Sequence, residues 1–398
     1  MKTFGKAGMT GLILLITLSL HAQRSGRAMA SLIDEDMKLA AEQYKLLGTH
    51  LPSEEMPRTY DEANNKWVTS NTKWWCSGFY PGALWMIYAA TGDEAIRKEA
   101  ESRLNILEKE KYYTGNHDLG FMMFCSFGTA YQITGNEAYK DIILTSANTL
   151  TKRYRPSIRA IQSWDSSKNF KCPVIIDNMM NLELLEWAAG HGGDQRLDEI
   201  AVNHANTTLR NHFRDDYSSY HVVDYDLATG KPAAKKTHQG DSDESAWARG
   251  QAWGLYGYTM MYRYTKKPEY LAQARHIAQF LLNHPNMPED KIPYWDFNAP
   301  DIPTAKRDAS AAAIMASAYL ELGQYSSGKE RKRYVNTAGT ILRNLSSANY
   351  LAKPGTNGGF LLLHSVGHLP AHSEVDVPLT YADYYFIEAL SRYKKWYL

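Results

Sequence analysis

The stretch H-D-L-G-F-M-M-F-C-S-F-G-T-A-Y-Q-I-T-G-N-E-A-Y-K-D-I-I-L-T-S-A-N-T-L-T-K-R, His117–Arg153, decides the fold. His117–Tyr131 is apolar all round, so as a helix it belongs in an interior. Thr134-Gly135-Asn136-Glu137-Ala138 then turns the chain, and Tyr139–Arg153 is amphipathic, a helix with one face in water. The pairing recurs on both sides of this stretch. Before it, Gly78–Ala90 leads through T-G-D-E-A (Thr91–Ala95) into Glu94–Glu108. After it come Asp177–Ala189 with Gln195–His212, Trp247–Tyr264 with Glu269–Asn283, and Asp308–Leu322 with Lys329–Leu345. Tyr381–Trp396 is a last apolar helix, and Leu32–Leu47, near the other end of the chain, is its amphipathic partner.

A repeat of helical hairpins implies one contiguous architecture. Apolar helices inside and amphipathic helices outside give an all-α (α/α)6 barrel of six helical hairpins; the runner-up is an open α-solenoid. Strand signals are sparse. Tyr220–Tyr225 and Gly358–Leu363 read as short strands in loop insertions, and Leu51–Thr72, with Pro52 and Pro57, as a polar loop.

The N-terminus has the pattern of a signal peptide over residues 1–22. Lys2 and Lys6 are the positive region, Gly11–Leu20 the apolar stretch, and Ala22 precedes a cleavage point before Gln23. The apolar run is too short to span a bilayer. Residues 23–398 are then a single barrel domain, exported to the bacterial periplasm. The net charge of +1 gives no electrostatic case for nucleic acid or an anionic membrane. Tyrosine is abundant, with 27 copies, and tyrosine and tryptophan faces suit carbohydrate. Cys76, Cys125 and Cys172 show no C-x-x-C spacing and read as small core fillers. The 13 histidines are scattered with no H-E-x-x-H, there is no phosphate loop, and Asp241-Ser242-Asp243 lacks the rest of a calcium loop. No metal or other cofactor is expected.

The starts of the inner helices are unusual. Thr237–Tyr258 packs Trp247, Arg249, Gln251 and Trp253 into less than two helical turns. Either Arg249 forks onto an anionic ligand between aromatic walls, or it pairs with an acidic neighbour inside a buried helix. Asp118, Asp177, Asp308 and Asp383 all stand at helix starts, where an aspartate serves as an N-cap unless it does chemistry. Asp177 follows Val174-Ile175-Ile176 and precedes Met179-Met180, so burial should raise its pKa toward that of a general acid, while the helix N-terminus opposes this. Asp118, beside His117, is expected to stay ionised. Two carboxyl groups in contrasting settings are the usual equipment of glycosidases. His117 and His221 either orient substrate or have structural roles. Alternation of inner and outer helices brings all six starts to one mouth.

The sequence resembles glycoside hydrolase family 88, the unsaturated glucuronyl hydrolases. The resemblance runs over nearly the whole mature chain through W-C-S-G-F-Y-P-G (Trp75–Gly82), H-D-L-G-F (His117–Phe121), I-D-N-M-M-N-L (Ile176–Leu182), H-Q-G…W-A-R-G-Q-A-W (His238–Trp253) and A-D-Y-Y-F-I-E-A-L (Ala382–Leu390). It implies an (α/α)6 barrel that needs no cofactor. The implied reaction is hydration of the 4,5 double bond of an unsaturated glucuronic acid at the non-reducing end of a lyase-generated oligosaccharide, which releases a keto acid and the remaining sugar. By resemblance Asp177 protonates C4 and Asp118 contacts the ring hydroxyls. His117, His221 and Gln239 line the site, and Trp75, Trp164, Trp247 and Trp253 wall it. Arg249 is the implied partner of the uronate carboxylate.

The loop Leu362–Pro370, which in the family touches the next sugar, carries no lysine or arginine here. His364, Ser365 and His368 remain as hydrogen-bonding candidates for a sulfate. Glycosaminoglycan fragments are the implied substrates. An unsaturated rhamnogalacturonyl hydrolase acting on pectin fragments and a non-catalytic sugar-binding barrel are the alternatives. Oligomeric state is not legible.

Overall fold

The computed structural model describes the backbone from residue 7 and side chains from residue 28, so the signal-peptide reading of residues 1–22 falls outside the described side chains. Twelve α-helices lie among the described residues. In chain order they are α1 (Ala7–His50), α2 (Phe79–Thr91), α3 (Glu94–Leu107), α4 (Thr129–Thr134), α5 (Glu137–Leu150) and α6 (Asn178–Gly190). They continue as α7 (Arg196–Asn211), α8 (Ala248–Thr265), α9 (Pro268–Asn283), α10 (Ala309–Gln324), α11 (Gly328–Leu345) and α12 (Thr380–Tyr397). Among the described residues no helix is long and apolar enough to cross a membrane.

Composition sorts the helices into two layers. In α10 every residue from Ala309 to Gly323 is buried, and its many alanines let neighbours approach on all sides. In α11 Tyr334, Ala338, Ile341, Leu342 and Leu345 turn inward, while the lysines and arginines of its first turns stay outside. The inner helices form a closed ring: α2 packs on α4 and its preceding turns, those turns on α6, α6 on α8, α8 on α10, α10 on α12, and α12 back on α2. That last contact separates a barrel from an open solenoid. The (α/α)6 reading holds, with α1 packed on α2 and α12 to complete the sixth hairpin.

Hairpin turns follow one local rule. Gly92 (φ 71) and Gly135 (φ 67) end two inner helices in the left-handed region, where glycine bears no Cβ penalty. The next residue caps the outer helix: Asp93 accepts from the Ala95 and Ile96 N–H groups, and Asn136 from that of Ala138. Each such cap contributes about 1 kcal/mol.

Three local expectations need correction. Leu51–Thr72 contains an antiparallel hairpin, β1 (Met56–Asp61) with β2 (Lys66–Ser70). Pro57 is tolerated because the register shifts between Pro57 and Thr59, and the turn is closed by the Asp61 carboxylate on Asn64. The helix expected at His117–Tyr131 is wide-coiled from Gly120 to Gly128, a π-helical segment, before it tightens into α4. Gly358–Leu363 is no strand. Gly358 (φ 60) and Gly359 (φ 89) break extended geometry, and Asp383 takes the N–H groups of Leu361 and Leu362 at 2.8 and 2.9 Å.

The remaining strands are short and sit at the mouth. β3 (Tyr154–Arg155) pairs with β4 (Ala160–Ile161). β5 (Pro173–Ile175), β6 (Val222–Tyr225) and β7 (Pro232–Lys236) form a sheet with β6, the strand expected at Tyr220–Tyr225, in the centre. β8 (Ser365–His368) pairs with β9 (Ser373–Val377) in the last insertion. Cys76, Cys125 and Cys172 are free thiols, Cys76 and Cys172 buried and Cys125 partly so.

Candidate active site

Backbone hydrogen bonds tie the inner-helix starts to the loops that precede their neighbours. The His117 N–H donates to the Ser163 carbonyl at 2.9 Å, and the Ile176 N–H to the His221 carbonyl at 3.1 Å. Ala248 donates to Trp295 at 3.1 Å and Ala309 to His364 at 3.0 Å. A residue at any one start is therefore fixed relative to the others by main-chain geometry and not by side-chain packing alone.

The four aspartates separate into two kinds. Asp308 is an N-cap: it accepts from the Ser310 N–H at 3.0 Å and the Ser310 hydroxyl at 2.6 Å, and it also receives Arg249. Asp383 holds the preceding loop through Leu361 and Leu362. Asp118 and Asp177 cap nothing, although both are at least nine-tenths buried. Structural work consumes the first two and leaves the second two available for chemistry.

Burial dominates the electrostatics of this pair. It raises Asp177 to about 7, against the Arg249 charge, the Asp177 backbone N–H and the Trp253 indole, which pull the other way. Burial also raises Asp118 to about 8, with the nearby Asp177 charge adding and Arg153 and Asn181 opposing. The repulsion is mutual, so the two values belong to the pair, which keeps a proton to neutral pH. The expectation that His117 would keep Asp118 ionised is overturned. The His117 Nε2 lies 3.2 Å from the Asp118 carboxyl, but burial first and Arg153 second push its pKa to about 3, so the ring is neutral and carries no charge to offer.

His221 is neutral for the same reason: burial lowers its pKa far below the usual histidine range. Its tautomer follows from its partners. Nδ1 accepts from the N–H groups of His238 and Gln239, both at 3.1 Å, so Nε2 carries the hydrogen. That Nε2 faces the Asp177 carboxyl across 3.7 Å. Neither atom has a hydrogen-bond partner within the protein, an uncommon state for buried polar atoms.

Aromatic rings surround the carboxyl pair. Trp253 packs on Phe121 and Tyr385, and Trp247 lies 4.5 Å from the His221 ring. Trp75 packs against Phe121 and Tyr381. Trp164 lies 5.8 Å from His238, farther out. Gln239 reaches the last insertion, donating to the Gly367 carbonyl at 3.0 Å.

Arg249 is placed differently from the expectation. Its side chain is 1% exposed and its fork is committed: Nη1 to Asp308 at 3.1 Å and to the Val366 carbonyl, Nη2 to the Gly367 carbonyl at 2.6 Å. This is the paired, buried arginine that the sequence left open as the second reading. Its charge still reaches Asp177. Of the three hydrogen-bonding candidates in the last insertion, only His368 adjoins the site, 4.7 Å from His238. Ser365 is fully buried, and His364 pairs with Asp376 at 2.7 Å in a separate surface cleft with Lys306 and Arg307.

Sequence reading missed three residues. Arg153 is buried and donates to the carbonyls of Gln162 and Thr114 at 2.8 and 2.7 Å, close enough for its charge to act on His117 and Asp118. In the sequence it looks like a cation at a helix end. Asn178 and Asn181, both fully buried, approach His117 and Asp118; two buried asparagines in D-N-M-M-N were the signal that could have found them. The opposite end of the barrel encloses a cavity of about 890 Å³. There Arg263 meets Glu183 and Glu321 at 2.8 Å each, and Arg392 meets Glu321 and Glu388 at 3.1 and 3.5 Å, so each of these carboxylates has an arginine partner. Among the described residues no three histidine, cysteine or acidic side chains gather as a metal site.

Known proteins share this sequence pattern and fold. The family model Glycosyl Hydrolase Family 88 matches residues 51–286. An unsaturated glucuronyl hydrolase of Formosa agariphila is 47% identical over 87% of each chain. An unsaturated chondroitin disaccharide hydrolase of Streptococcus pyogenes serotype M1 is 34% identical over 92% of each. The crystal structure of an unsaturated glucuronyl hydrolase specific for heparin superposes with a TM-score of 0.89 at 45% identity, covering 92% of this chain and 97% of that one. With the buried carboxyl pair, the aromatic walls and these matches on one chain, the protein belongs to glycoside hydrolase family 88, the unsaturated glucuronyl hydrolases.

Proposed function

We propose that this enzyme hydrates the 4,5 double bond of an unsaturated glucuronic acid at the non-reducing end of glycosaminoglycan fragments, with heparin-derived disaccharides as the preferred class. The observation that carries the chemistry is the pair of buried, coupled carboxyl groups that cap no helix. Protonated Asp177 gives its hydrogen to C4, and the electron pair of the double bond forms the new C–H bond. Positive charge develops at C5 and the ring oxygen, beside Asp118. Water adds at C5 and returns a proton to the Asp177 carboxylate. The hemiketal opens, and the exposed C1 hemiacetal then releases the remaining sugar. The neutral His221 Nε2–H is oriented to hold an oxygen near Asp177. The heparin preference is supported by the specificity of the 45% identical structure, and export to the periplasm by the N-terminal charge and apolar pattern.

Loss of the ultraviolet absorbance of the conjugated double bond follows the reaction directly. Unsaturated disaccharides from heparin, chondroitin, hyaluronan and rhamnogalacturonan should separate by kcat/KM, heparin first. A rhamnogalacturonan substrate in first place would overturn the glycosaminoglycan assignment, and a chondroitin one the finer choice.

The pH profile has a definite sign. Asp177 acts only while protonated, so kcat/KM should fall as pH rises through about 7 to 8, where the pair loses its protons. Stability should move the same way. Both folded-state pKa values are raised above the unfolded carboxylate value, so their contribution is fully present below that value and is lost as pH rises through the folded ones. A rate that climbs steadily across this window would rule out a carboxylic acid as proton donor.

A further inference from the structure

Asn181 stands on α6 one turn after Asp177, on the same face, and is fully buried. Its Oδ1 accepts the Phe121 N–H at 2.9 Å. Phe121 lies in the π-helical segment that starts just after Asp118, so this bond crosses between two inner helices. It also settles the orientation of the amide, because a backbone N–H needs an acceptor. The other end, Nδ2, has no full hydrogen-bond partner and adjoins the Asp118 carboxyl, where it favours the charged form. The approach is close enough to require glycine at position 120: a Cβ there would stand 2.4 Å from the Asn181 Cα and 2.7 Å from its Oδ1.

We infer that Asn181 is a positioning residue: its amide docks the π-helical segment on α6 and steadies the Asp118 carboxyl, so that the helix carrying the acid also sets the place of its partner. The wide coil after Asp118 fits this role, since π-helical turns recur where a helix is bent to aim a functional side chain. The other groups facing the pair are Arg153, whose charge favours ionised Asp118, Arg249 and the Trp253 indole, which favour ionised Asp177, the neutral rings of His117 and His221, and the Cys76 thiol and Tyr113 phenol, both raised by burial and un-ionised near neutral pH. Asn181 supplies a hydrogen-bond donor from the acid's own helix. The inference rests on the assignment of Asp177 as acid and Asp118 as its partner.

Asn181→Asp separates docking from steadying. It keeps an acceptor for the Phe121 N–H but replaces the donor beside Asp118 with an oxygen. The expected result is a cooperative melt, a fall in kcat on the order of tenfold to a hundredfold with a smaller change in KM, and an upward displacement of the apparent pKa values of the pH profile. A merely structural asparagine would leave the profile of the uncharged Asn181→Ala variant where it is. Asn181→Ala, which removes both ends of the amide, should displace it in the same direction, and a wild-type profile in either folded variant overturns the inference. If neither variant folds, the Asn181 side-chain amide resonance of the labelled wild-type protein decides. It should titrate with the pair and cease to do so in Asp118→Asn; an amide that ignores the titration overturns the inference. Asp177→Asn in the same assay keeps the two readings apart: if that variant is dead while Asn181→Asp is normal, only the role of Asn181 falls, and if it is active, the acid assignment falls.

Discussion

Asp177→Asn should lower kcat by about a hundredfold to ten-thousandfold, the usual share of a positioned general acid. The amide has nearly the shape of the acid but has no proton to deliver to carbon. The fold should tolerate the change well. The side chain caps no helix, and its Oδ2 has no hydrogen-bond partner within the protein, so no network is broken. Removing a buried ionisable group also removes the stability lost when it ionises. The expected pattern is therefore a thermal midpoint at or above that of the wild type, substrate binding retained, and turnover lost. A variant that keeps near-normal kcat would place the proton donor elsewhere.

Arg249→Met should be the most destabilising substitution at the mouth, by about 3–5 kcal/mol, because it strands a buried charge. Asp308 is fully buried, and Arg249 is its only charged partner among the described residues. The same substitution removes the donors to the Val366 and Gly367 carbonyls, which fasten the β8–β9 insertion over the site. Activity should fall with stability, since Gln239 and His238 meet that insertion. Denaturant unfolding measures the effect, and Arg249→Met combined with Asp308→Asn should recover part of the loss, because the two positions are coupled. A single variant within about 1 kcal/mol of wild type would contradict the buried-pair reading.

The hairpin grammar was legible because it is local. Gly92-Asp93 and Gly135-Asn136 each end one helix and cap the next within two residues, and solvent exposure writes the difference between α10 and α11 directly into their composition. The motifs around Asp118 and Asp177 were legible as well, since each lies in one short stretch. The hairpin at Met56–Ser70 was obscured by Pro57, which a register shift accommodates. The π-helical coil could not be seen from its own stretch; the Asn181 amide that accepts its Phe121 N–H lies 60 residues away.

The sequence by itself determined the helix count, the inner and outer layers and the candidate carboxyl groups, all set by periodicity and short-range chemistry. Only the tertiary structure decided which aspartates were spent as caps, that His117 is neutral, and that Arg249 points its fork at Asp308 and the last insertion. Those outcomes depend on desolvation and on partners brought in from distant segments. A residue's charge state and its free hydrogen-bonding capacity are properties of the neighbourhood that folding assembles, and no local stretch of chain contains them.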